Sequence, residues 1–92
     1  MTAKTTAKTT VTFQLVGYDK RSERIVYRQD IPPHILPVVK DIAQVPHVGD
    51  AELGDCELNA GQALDIAGLL TQKIDTGAMD FFLEPYVYAR DV

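Results

Sequence analysis

Two adjacent prolines, Pro32-Pro33, cut the chain where its hydrophobic pattern changes period. Upstream the pattern alternates. Val11, Phe13 and Leu15 are separated by Thr12 and Gln14, and a second run sets Ile25, Tyr27 and Ile31 on one face against Val26 and Arg28 on the other. A period of two, rich in β-branched and aromatic residues, marks half-buried strands. The polar stretch Asp19-Lys20-Arg21-Ser22-Glu23 joins the two runs, which predicts a hairpin. Neither proline can donate to a ladder, so the second strand stops there. Downstream, Ile35, Val38, Val39 and Ile42 fall at the i, i+3, i+4, i+7 spacing of an amphipathic helix. Pro37 is harmless only in the first turn, which sets this helix at 36–44, before Val45-Pro46.

A second helix is predicted over 60–73. Asn59 and Gln62 have capping-box spacing, and Ala63, Ile66, Ala67 and Leu70 form its stripe. Asp75-Thr76-Gly77 then offers a stop with a glycine suited to left-handed backbone. Met79, Phe81 and Leu83 alternate with Asp80, Phe82 and Glu84 in a last strand, which Pro85 breaks or places at an edge. Tyr86-Val87-Tyr88 resumes the extended chain, and Cys56-Glu57-Leu58 is a short extended piece within or beside the sheet. The expected order is ββααβ, an α+β domain with both helices on one face of a small, mostly antiparallel sheet. Its core is expected from Val11, Phe13, Leu15, Ile25, Tyr27, Phe81 and Leu83 against Val38, Val39, Ile42, Ile66, Ala67 and Leu70. A chain of 92 residues suffices for one domain, set at 11–92. Residues 1–10, with Thr-Ala-Lys-Thr at 2–5 and again at 6–9, offer no large side chain to bury after Met1 and are expected to form a disordered tail.

The formal net charge is -4, which argues against binding nucleic acid by neutralising phosphates. No apolar run approaches the roughly 20 residues that span a bilayer, and no apolar leader stands at the N-terminus. One cysteine cannot form an internal disulfide, and a cytoplasmic setting is expected. Charge is unevenly spread. Residues 1–48 carry seven basic and four acidic side chains, a net of +3; residues 49–92 carry two basic and nine acidic ones, a net of -7. Four of the acids, Asp50, Glu52, Asp55 and Glu57, crowd one glycine-containing stretch.

Several pieces of the chain resemble a family of small bacterial domains of unknown function loosely associated with toxin–immunity neighbourhoods. They are Tyr18-Asp19-Lys20, Glu23-Arg24-Ile25-Val26-Tyr27, Asp30-Ile31-Pro32, Cys56-Glu57-Leu58 ahead of the helix bearing Gln62, and Phe81-Phe82-Leu83-Glu84. The likeness covers about three quarters of the chain and leaves out the Thr/Lys tail and residues 86–92. It implies a non-enzymatic accessory or binding role and supplies no functional residues to carry over.

Catalytic and metal chemistry find weak support in the spacing. Cys56, His34 and His47 are the only thiol and imidazoles, and no nucleophile signature surrounds the cysteine. The histidines are thirteen residues apart and Cys56 lies nine further on, unlike the close ligand pairs of zinc sites. Counted from Asp50 as a calcium loop, position 5 is Gly54 and position 6 is Asp55, so the pattern fails. The expectation is therefore no enzyme, no cofactor and no metal. It is a small soluble binding or accessory module that meets a basic protein partner through Asp50, Glu52, Asp55 and Glu57, an immunity-like role being one form of this. The alternative is a structural domain that homodimerises through the strand edge at Tyr86, Val87 and Tyr88, with neither nucleic acid nor membrane as partner.

Overall fold

The computed structural model describes residues 8–45 and 54–90. Six elements follow one another: β1 (Lys8–Asp19), β2 (Ile25–Asp30), α1 (Leu36–Ala43), β3 (Cys56–Leu58), α2 (Ala60–Leu69) and β4 (Met79–Arg90). The class is α+β, with two helices against a four-stranded antiparallel sheet of order β2-β1-β4-β3. The order is ββαβαβ rather than ββααβ, because Cys56-Glu57-Leu58 pairs with β4 at Leu83, Phe82 and Phe81.

β1 and β4 form the spine, in register from Lys8↔Arg90 to Asp19↔Met79. Lys8, Thr9 and Thr10 thus belong to a strand rather than to the expected tail, since β4 supplies the ladder they lacked in isolation. Residues 1–7 lie outside the described residues. Pro85 does not break β4, and the hydrogen-bond pattern explains why. The Phe13 carbonyl accepts from Ile31 N–H at 2.8 Å, so Phe13 turns its peptide groups toward the β2 side. Pro85 opposite it is in a non-hydrogen-bonded pair and turns its nitrogen to the far edge, where β3 reaches only Leu83. Among the described residues no ladder bond is lost.

The helix layer covers one face. Phe13, Leu15, Phe81 and Leu83 from the spine meet Val39 and Ala43 of α1, Ala63, Ile66 and Ala67 of α2, and Leu58 and Ile31. Val38 and Ile25, expected in this core, are 49% and 37% exposed. Val38 stands on the outer side of a short helix, and Ile25 sits at the start of an edge strand. Gly17 lies where the β1 backbone passes under three side chains. A Cβ there would come within 2.9 Å of a Phe81 ring carbon and 3.0 Å of Met79 Sδ.

Helix α1 starts as the prolines require, with Leu36 as its first residue and Pro37 in its first turn. The capping box of α2 is formed: Asn59 Oδ1 accepts from Gln62 N–H at 2.8 Å, and Gln62 Oε1 accepts from Asn59 N–H at 2.9 Å. The same Gln62 side chain donates to the Ile42 carbonyl at 3.0 Å, tying α2 to α1. α2 ends at Leu69, short of the expected 73, because Thr71 takes the left-handed conformation at φ 57°. Thr71 N–H donates to Gly68 and Gln72 N–H to Ala67, the paired bonds of a Schellman cap. Gly77 was expected to supply that conformation, yet no glycine among the described residues has positive φ. It lies instead in a turn where Asp75 Oδ1 accepts from Gly77 N–H at 2.9 Å.

Candidate binding site on the open sheet face

No helix packs on the second face of the sheet among the described residues. Side chains alternate along a strand, so the register assigns that face: Gln14, Val16 and Tyr18 from β1, Phe82, Glu84 and Tyr86 from β4, Arg28 from β2 and Glu57 from β3. Val16 is nonetheless fully buried there. It sits in the central strand pair, level with Arg28 of β2 and Phe82 of β4. Tyr18 meets Phe82 edge to face, with ring centroids 5.3 Å apart and an interplanar angle of 82°.

Glu84 is the centre of this face. It is only 5% exposed, and each carboxylate oxygen takes a phenol hydroxyl. Tyr18 donates to Oε2 at 2.6 Å and Tyr86 donates to Oε1 at 2.7 Å. Tyr86 stands two residues from Glu84 on the same face of β4, whereas Tyr18 is level with Asp80 and its side chain reaches along the face past Phe82 to Glu84. The Tyr18 hydroxyl is pushed up from 10.0 to about 12, first by its bond to Glu84, then by burial and by the Glu84 charge. Tyr86 is also raised, by burial first and then by Glu84, with Arg28 opposing. The Arg28 guanidinium lies over the Tyr86 ring, 5.3 Å from its centroid.

Beside Tyr18 the face sinks into a concavity of about 400 Å³ lined by Asp19, Glu23, Asp55, Asp80, Phe82 and Glu84. Five carboxylates thus surround two aromatic rings. Asp80 is paired with Lys20 at 3.1 Å, and Asp19 accepts from the Ser22 backbone and hydroxyl at 3.1 and 2.8 Å. Those bonds hold the Asp19 carboxyl below its usual value. Asp55 is held above its own, by burial and then by the charge of Glu84. A cation placed here would relieve that repulsion.

Of the acids singled out in the sequence, Asp55 lines the concavity and Glu57 lies opposite Phe82 at its border. Asp50 and Glu52 lie outside the described residues, as does His47. Tyr86 belongs to the site; the backbone of Val87 and Tyr88 pairs with Val11 and Thr10 along one side. Cys56 is a free, half-buried thiol whose pKa burial pushes up, and His34 is exposed on the approach to α1. The described residues contain no group of three or more metal-ligating side chains, and no helix among them is long and apolar enough to cross a membrane. Tyr18, Phe82 and Glu84 were not among the candidates. The one signal for them was a carboxylate inside an aromatic strand, on the same face as Phe82.

Comparison with known protein families, with curated proteins and with solved structures finds no match.

Proposed function

We propose that the protein is a binding module that seats a basic side chain of a protein partner in the concavity of the open sheet face. The observation that carries the reading is the convergence of Asp19, Glu23, Asp55, Asp80 and Glu84 around Tyr18 and Phe82. An ammonium or guanidinium group entering there meets ring faces and carboxylates together, and both attract cations. Each Glu84 oxygen accepts one phenol and keeps a lone pair for a further donor. Loops border the concavity, and the surrounding negative field speeds encounter with a positive partner.

Binding is favoured over catalysis by the state of the titratable groups. Tyr18 at about 12 is far from neutral pH, and the raised Cys56 thiol is a poor nucleophile. The resemblance to immunity-associated bacterial domains supplies one class of partner, a basic toxin, by analogy alone. A cytoplasmic setting fits the free thiol.

The test uses an arginine-rich peptide as probe and a charge-matched pair of double variants. Glu23→Gln/Asp55→Asn should weaken binding about tenfold at low salt, as two exposed ion pairs of up to about 1 kcal/mol each allow. Asp41→Asn/Asp65→Asn, on the helix layer, should change it much less. Equal loss in both variants would mean attraction to net charge rather than a site.

A further inference from the structure

We draw no further inference here: the strongest candidate, the apolar groove of about 330 Å³ that Val11, Phe13, Ile31, Pro32, Pro33 and Leu36 line between β1 and the start of α1, is an unpartnered surface, and nothing in the structure shows what covers it.

Discussion

At Glu84 two phenol hydroxyls divide one carboxylate between them, and this makes three side chains interdependent. Hydrogen bonds to a charged group contribute about 1.5–3 kcal/mol, so Glu84→Gln, which keeps the size and loses the charge, should destabilise the fold by about 1–3 kcal/mol. It should also return Tyr18 from about 12 toward the ordinary phenol value of 10.0, because the bond to Glu84 is the leading cause of the shift. The sign of the pH effect follows. A raised folded-state pKa stabilises fully below the unfolded value and ceases to do so as pH rises through the folded one. Stability should therefore fall between pH 10 and 12, and the part due to Tyr18 should be missing in Tyr18→Phe. Ultraviolet tyrosinate titration and denaturant unfolding across that range check both statements. None of this pairing was legible in the sequence. Tyr18 and Glu84 are 66 residues apart, and only the register of β1 on β4 brings them together.

The elements show where local rules were sufficient. Asn59 and Gln62 announce the start of α2 because a capping box is a contact within four residues. The hairpin and the α1 start were legible for the same reason: alternation, a polar connection and prolines act locally. The helix ends were not. α1 and α2 close on Gln44 at φ 61° and Thr71 at φ 57°, residue types that carry no stop signal. A β-branched residue in the left-handed region is strained by about 1–2 kcal/mol. Thr71→Gly should therefore raise stability by about 0.5–1 kcal/mol after the greater unfolded-state entropy of glycine is set against that strain. A change in the denaturant midpoint at constant slope measures it. β3 was half legible: three residues are too few for a period, and its status depended on the free edge of β4 at Leu83. Of the two readings of Pro85, a break or an edge position, the second holds: its nitrogen faces the side of β4 that β3 does not reach.

Over the whole molecule the charge split of the sequence becomes a surface. Asp55, Asp80 and Glu84 from the acidic half meet Asp19 and Glu23 from the hairpin around Tyr18 and Phe82, while Lys20 and Arg28 from the basic half stand at Asp80 and Tyr86. The acidic character was legible from composition. Its focus was not, because the hairpin half is net positive and contributes two of the five carboxylates through topology alone. The helices bury one face of the sheet and leave the other to side chains that are themselves the candidate site. Chemical-shift mapping of the isotope-labelled protein, titrated with an arginine-rich peptide at low and at high salt, tests this most directly. The account predicts perturbations clustered at Tyr18, Glu23, Asp55, Phe82 and Glu84 that shrink as salt screens the field. Perturbations centred on the helix layer, or spread evenly over all exposed acids, would contradict it.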